Sequence, residues 1–275
     1  MGKIILLLID GLTYDGAEKN LGYAEHLIEE CGYSKVRVLG EMPSVSRPIY
    51  ETLLTGLPVS RHGITSNLDV RRSDNASLFD LCRRNSLGTA ASAYYWISEL
   101  YTEAPFDPVR DLIRLQHDGI IEHGIYYFDD DYPDSHVFVN GEYLRLRFDP
   151  DFILIHSMNI DSEGHKHGSG SYSYHDAIVK LNAALSIFLP EWMQKGYDVV
   201  LTADHGMNSL GFHGGNSDIQ RLVPLYLFSN NARIKTDLDR ISQLAVAPLI
   251  CGLLNILPSG QMKTLRELDV ELIEL

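Results

Sequence analysis

Six short, largely apolar runs constrain this chain more than any other feature of its sequence. They are Ile4–Ile9, Val36–Leu39, Thr89–Tyr94, Phe152–His156, Val199–Thr202 and Val223–Phe228. Runs of four to six residues suit strands, and unbroken apolarity suits strands buried on both faces. Stretches with helical periodicity lie between most of them, at Asp15–Cys31, Ile49–Thr55, Leu78–Asn85 and Tyr174–Gln194. This alternation predicts an α/β fold: a doubly wound, mainly parallel sheet with helices on both faces. The 275 residues fit one domain, 1–275, with enough core to need no staples. Residues 95–149 break the rhythm and are rich in aromatics, among them Trp96, Tyr101, Phe106, Tyr126, Tyr127 and Phe128. That segment is expected to be an insertion over the sheet edge, a small cap, with irregular continuation of the sheet as the alternative.

Three of the runs share an ending. IILLLI leads into Asp10 and Gly11, and DVVLTA leads into Asp204 and His205. FILIHSMN is followed shortly by Asp161 and, four residues on, His165. A further histidine, His213, lies in the glycine-rich stretch GFHGG. Each residue alone reads as a turn former, a helix cap or a surface histidine. Ligands of parallel sheets, however, sit beyond the carboxyl ends of the strands, where neighbouring tips converge. Three carboxylates gathered there would repel one another and raise their own pKa values, a penalty that divalent cations remove. Three Asp and three His suit zinc, with manganese or iron as rivals.

A candidate reacting group lies in EMPSVSRPIYETLLTG, residues 41–56. Pro48 fits the first turn of a helix, which leaves Ser46 near the N-cap, with Ser44 as the rival cap. A serine there sits in a field that favours an alkoxide and a bound phosphoryl group. A cation bonded to its oxygen would make it a nucleophile.

The formal net charge of −14 argues against polymeric nucleic acid as a partner, since phosphate backbones call for clustered Lys and Arg. It would also repel a small anionic substrate unless bound cations reversed the local field. Cys31, Cys82 and Cys251 show no metal or redox spacing, and reduced thiols in the cytoplasm are expected. The opening MGKIILLLIDG does not fit a secretory signal or a myristoylation pattern, and no apolar run approaches a membrane span. A cytoplasmic protein without membrane attachment is the expectation.

Together these motifs resemble the alkaline phosphatase superfamily, and its type I phosphodiesterase/nucleotide pyrophosphatase branch in particular. IILLLIDG is similar to that family's first metal-binding strand, SRPIYETLLTGL to its nucleophile segment, and SRHGITSN to the element carrying its phosphate-contacting asparagine. DSEGH and ADHGM match its two later metal motifs, and APLICGLLNILPSG its terminal pattern. The resemblance runs in order from residue 3 to about residue 260.

The resemblance implies two divalent ions, zinc first. Asp161, His165 and His213 would hold one ion, and Asp10, Asp204 and His205 the other, with Ser46 as nucleophile through a phosphoseryl intermediate. Asn67 would donate to a non-bridging phosphate oxygen. The implied activity is hydrolysis of a phosphodiester or pyrophosphate bond in a small phosphorylated substrate. Arg47 stands where nucleotide pyrophosphatases typically carry Phe, and is expected to contact substrate phosphate or stack on a ring, with a solvated side chain on the first turn of the helix as the alternative. Trp96 is expected to line the substrate cleft, with ordinary packing as the alternative. His62, His167 and His175 read as structural or surface residues. The rival functions are a phosphomonoesterase or phosphonate hydrolase of the same superfamily, a metal-dependent phosphosugar mutase, and a non-catalytic metal-binding protein. A sulfatase reading fails because Ile49 and Tyr50 break its maturation pattern.

Overall fold

The computed structural model describes residues 2–275. Its strands are β1 Lys3–Ile9, β2 Ser34–Leu39, β3 Thr89–Tyr94, β4 Ile113–Arg114, β5 His123–Tyr127 and β6 Phe152–Ser157. They continue with β7 Tyr197–Thr202, β8 Leu222–Phe228, β9 Ala232–Lys235, β10 Ile241–Ser242 and β11 Glu271–Glu274. Nine of them form one sheet in the order β10-β2-β8-β7-β1-β6-β3-β5-β4, and β9 and β11 pair separately. The central block β7-β1-β6-β3-β5 is parallel throughout. All six expected runs are strands, and the expected α/β class holds.

The burial of β1 explains its central place. Ile4 through Ile9 are all fully buried, so both faces of the strand are covered. Each such aliphatic side chain contributes on the order of 2 kcal/mol when removed from water. Helix Val246–Leu254 packs on β1, helix Tyr172–Gln194 on β7, and helix Asp134–Phe148 on β3 and β6. The Tyr172–Gln194 helix shows how the sequence directs this packing. Tyr174, Ala177, Ile178, Leu181, Leu185, Leu189 and Trp192 form its buried stripe at helical spacing, and Ser171 caps its first turn. Among the described residues no helix is long and apolar enough to cross a membrane.

The structure departs from the sequence reading in three places. Strand β8 runs antiparallel to both neighbours, β7 and β2. Between β7 and β8 there is only one four-residue helix, Asp218–Arg221, so no crossover helix carries the chain back for a parallel pairing. The Asp15–Cys31 stretch forms two helices, Tyr14–Asn20 and Gly22–Cys31, broken at Leu21, which leaves the helical region at φ −88 and ψ 54. The cap expected at 95–149 is corrected too. Strands β4 and β5 extend the main sheet, β5 in parallel with β3, while helix Asp134–Phe148 covers β3 and β6. The segment looked irregular because β4 and β5 lie at the sheet edge, where half-exposed strands lose the unbroken apolar signature.

Asp134 opens that helix and is buried, at 8% exposure. Burial raises its carboxyl from the ordinary 3.8 to about 7, against an opposing hydrogen bond from the Asn159 N–H. The folded-state pKa thus lies above the unfolded one. The native state therefore holds a proton between about 4 and 7 that the unfolded chain releases, and stability falls as pH rises through that window. Asp134→Asn keeps an acceptor for Asn159 and removes the titration. Its stability, read from denaturant unfolding, should exceed that of the wild type at pH 8 by about 4 kcal/mol, with no gain at pH 4.

Candidate functional site

Asp10 immediately follows β1, Asp204 and His205 follow β7, and Asp161 lies in helix Asn159–His167 directly after β6. Because β7, β1 and β6 are adjacent and in register, with Leu8 opposite Thr202 and Ile9 opposite Ser157, the three tips end level with one another. His165 stands one turn beyond Asp161 on the same helix, and the loop between β7 and β8 brings in His213. Gly11 makes the approach possible. It has φ +71, and a Cβ there would lie 2.8 Å from the Cα of Asp161. Its N–H donates to Oδ1 of Asp204 at 3.2 Å.

The histidines are oriented alike. Nδ1 of His205 lies 3.0 Å from the Gly206 carbonyl, Nδ1 of His165 2.8 Å from that of Gly211, and Nδ1 of His213 2.9 Å from that of Ser44. A carbonyl only accepts, so each Nδ1 carries a proton, and each Nε2 is the ring atom left to bind a cation once it is deprotonated. Those Nε2 atoms turn toward the carboxylates. His205 is 3.1 Å from Asp204 and 3.4 Å from Asp10, while His165 is 3.3 Å from Asp161 and 3.2 Å from Nε2 of His213. The rings of His205 and His213 stack at 3.7 Å.

A cation fits this donor set on the structure's own terms. Oδ1 of Asp10, Oδ1 of Asp161 and Oδ2 of Asp204 are buried with no hydrogen-bond donor among the described residues. Such orphaned oxygens are costly, and positive charge is what they lack. One ligand atom each from Asp10, Asp204 and His205 lies within 4.8 Å of the others, and so do those of Asp161, His205 and His213. The two clusters thus meet at His205, with His165 joining at the half-exposed rim through Asp161 and His213.

The titration behaviour reflects the crowding. Burial and then repulsion from Asp10 raise the Asp161 carboxyl. Burial, Asp10 and Asp161 raise Asp204 well above the usual range. Burial also acts on Asp10, but His156, His205 and Tyr50 outweigh it and hold that group down, at about 2. His165 is lifted to about 9, chiefly by its hydrogen bond with Asp161. Burial lowers His205, and burial followed by the neighbouring His205 lowers His213 to about 4.

Ser46 is the first residue of helix Ser46–Thr55, and Val45, not a serine, is its N-cap. Its Oγ lies 3.1 Å from Nε2 of His205, to which it donates. Asn67 accepts the Arg47 N–H through Oδ1 at 2.9 Å, which directs its amide NH2 away from that helix donor. The loop bearing Asn67 leads into a segment pinned to the same helix. Glu51 is fully buried and accepts from Tyr101, Asn75 and Ser73.

Arg47 is not where the sequence reading put it. The guanidinium is buried, 2.6 Å from Glu99 and 3.0 Å from the Asp69 carbonyl, and lies over the Trp96 ring at 4.8 Å. It anchors the start of helix Ser46–Thr55, turned toward Glu99 and Trp96. Trp96 packs against Tyr50, Tyr94, Tyr95 and Arg47, in keeping with the packing alternative. Glu99→Gln would leave a buried cation without its counter-charge. We expect it to lower stability by about 3 kcal/mol, read as a shifted denaturant midpoint. His62 bonds Thr52 and the Ile64 N–H, and His175 lies 2.8 Å from Asn20, both structural as expected.

Two residues absent from the sequence-derived site touch it directly. Tyr50 O–H donates to Oδ2 of Asp10, and Nε2 of His156 lies 3.6 Å from the same oxygen. The available signals were a histidine inside a fully buried strand and a tyrosine one helical turn beyond Ser46.

The family model described as type I phosphodiesterase / nucleotide pyrophosphatase matches residues 4–226. Among curated proteins, GPI ethanolamine phosphate transferase 2 of Schizosaccharomyces pombe is 30% identical over 133 residues, 41% of this chain and 18% of that protein. The catalytic subunit of human GPI ethanolamine phosphate transferase 2 is 24% identical over 243 residues, 83% of this chain and 23% of that protein. The chain thus spans less than a quarter of the length of either relative. Murine ectonucleotide pyrophosphatase / phosphodiesterase 5 superposes with a TM-score of 0.72 at 13% identity, over 97% of this chain and 99% of that one. Its human counterpart gives a TM-score of 0.69 at 15% identity, over 97% of this chain and 99% of that one.

Proposed function

The chain belongs to the type I phosphodiesterase / nucleotide pyrophosphatase family, and from that premise we propose that it cleaves a phosphodiester bond with Ser46 as the nucleophile. The observation that carries this reading is the placing of Ser46 Oγ against His205, inside a contiguous set of three carboxylates and three imidazoles. Asp10, Asp204 and His205 would hold one divalent cation, and Asp161, His165 and His213 the other. Bound there, such ions would neutralise the charge that gathers on the entering and leaving oxygens and favour the alkoxide form of Ser46.

The remaining work falls to the chain itself. Ser46 Oγ is held on the first turn of a helix, whose positive end favours a phosphoryl group. A bond forms from this oxygen to phosphorus as the bond from phosphorus to the leaving alcohol breaks, and the leaving oxygen departs with a proton. Asn67, whose Oδ1 accepts the Arg47 N–H, would donate its NH2 to a non-bridging oxygen. In the second half, water forms the new bond to phosphorus, and Ser46 Oγ leaves as a hydroxyl.

A second reading rests on the names of the curated relatives, which are ethanolamine phosphate transferases. In it, an alcohol takes the place of water in the second half. Assays with aryl phosphodiester, monoester and phosphonate substrates, with added zinc or manganese, test the proposal. The diester should turn over fastest, and failure on all three overturns the reading. Adding a primary alcohol distinguishes the two second halves, because a transferase yields the alkyl phosphate ester in place of the hydrolysis product.

A further inference from the structure

We propose that Tyr50 and His156 are positioning residues that hold Asp10 as a one-oxygen ligand, and that they thereby set the affinity of the Asp10 half of the centre for its cation. This rests on the two-cation reading above. The two oxygens of Asp10 have different surroundings. Oδ2 accepts from Tyr50 O–H and has Nε2 of His156 3.6 Å away, a charge contact rather than a hydrogen bond, that Nε2 having no hydrogen-bond partner among the described residues. Oδ1 has no hydrogen-bond donor among the described residues and lies 3.4 Å from Nε2 of His205. One oxygen is thus engaged from behind, and the other faces the ligand cluster.

Both partners are themselves fixed. Nδ1 of His156 accepts the Tyr94 N–H at 3.4 Å, which leaves the ring proton on Nε2, the atom that faces Asp10. The Tyr50 ring packs edge-on against His156 at 4.6 Å and beside Trp96 at 6.2 Å, and its hydroxyl lies 3.5 Å from the Met158 sulfur. All three side chains, Asp10, Tyr50 and His156, are fully buried.

Tyr50 also comes from the nucleophile helix. It lies four residues after Ser46, so both project from one face, one turn apart. Ser46 reaches His205 and Tyr50 reaches Asp10, two expected ligands of the same cation. The helix is therefore tied to that half of the centre at two points. Groups that orient a ligand from behind commonly change metal affinity by 10–100-fold when removed.

Tyr50→Phe keeps the ring and deletes the hydroxyl. Zinc titration of the resting protein against a chromophoric chelator should show one ion weakened by about 10-fold or more and the other within about 2-fold. The kcat should fall, with KM changed by less than about 3-fold. His156→Gln retains an N–H donor and should stay within about 3-fold of wild-type affinity, whereas His156→Leu should lose about 10-fold. Wild-type affinity for both ions in Tyr50→Phe and His156→Leu, with only the stability of the zinc-free protein lowered, would overturn the proposal and leave a core hydrogen bond. A wild-type protein that takes up no zinc in the same titration would instead sink the two-cation reading itself.

Discussion

Replacing Ser46 with alanine should reduce turnover of a phosphodiester by about 10⁴-fold or more and leave binding of the two proposed cations intact. The expectation separates chemistry from folding because Ser46 contributes little to the fold. It is the first helical residue and not the N-cap, so no capping bond is lost. Its buried side chain makes one side-chain hydrogen bond, to His205, and alanine leaves room for little more than the missing oxygen. The expected stability change is about 1 kcal/mol. Acid-quenched wild-type enzyme should carry phosphate on Ser46, and the alanine variant none. Turnover within about tenfold of wild type would mean that the attacking oxygen is a water, and Ser46 would then be only a polar neighbour of His205.

That acids and imidazoles would gather at one rim was legible in the sequence for a topological reason. Asp10, Asp161 and Asp204 each follow an apolar run, and a parallel sheet brings the carboxyl ends of adjacent strands to one rim. What the sequence could not rank was adjacency. That β7 and β6 flank β1 follows from the pairing registers, not from the order of the runs. His213 is recognisable by its glycine-rich setting, yet its place depends on the loop folding back until Nδ1 meets the Ser44 carbonyl.

Arg47 shows where local reading fails. A charged residue on the first turn of a helix is ordinarily solvated, and a cation beside a nucleophile suggests phosphate. Glu99, fifty-two residues away, reverses both inferences by supplying a buried counter-charge. Tyr50 and His156 were missed for a related reason. Each resembles a core residue, and what distinguishes them is a third residue, Asp10, that only the fold brings within reach.

Stripping divalent cations with a chelator should abolish turnover and also lower the stability of the folded protein. Ions that bind the native state alone, present at about 1,000 times their dissociation constant, stabilise it by about 4 kcal/mol each. For a chain of this size, losing them should lower Tm on the order of 10 °C. The cause is the charge imbalance at the strand tips. Three buried carboxylates each keep an oxygen with no donor, and two of the three groups are pushed toward the protonated form by burial and mutual repulsion. Replacing His213 with alanine removes one ligand without adding charge, so it should weaken zinc binding and the zinc-dependent rise in Tm together. If chelation left turnover and Tm unchanged, the imidazoles alone would be balancing these acids. The cluster would then be a hydrogen-bonded core, and Ser46 would have no cation to make its oxygen reactive.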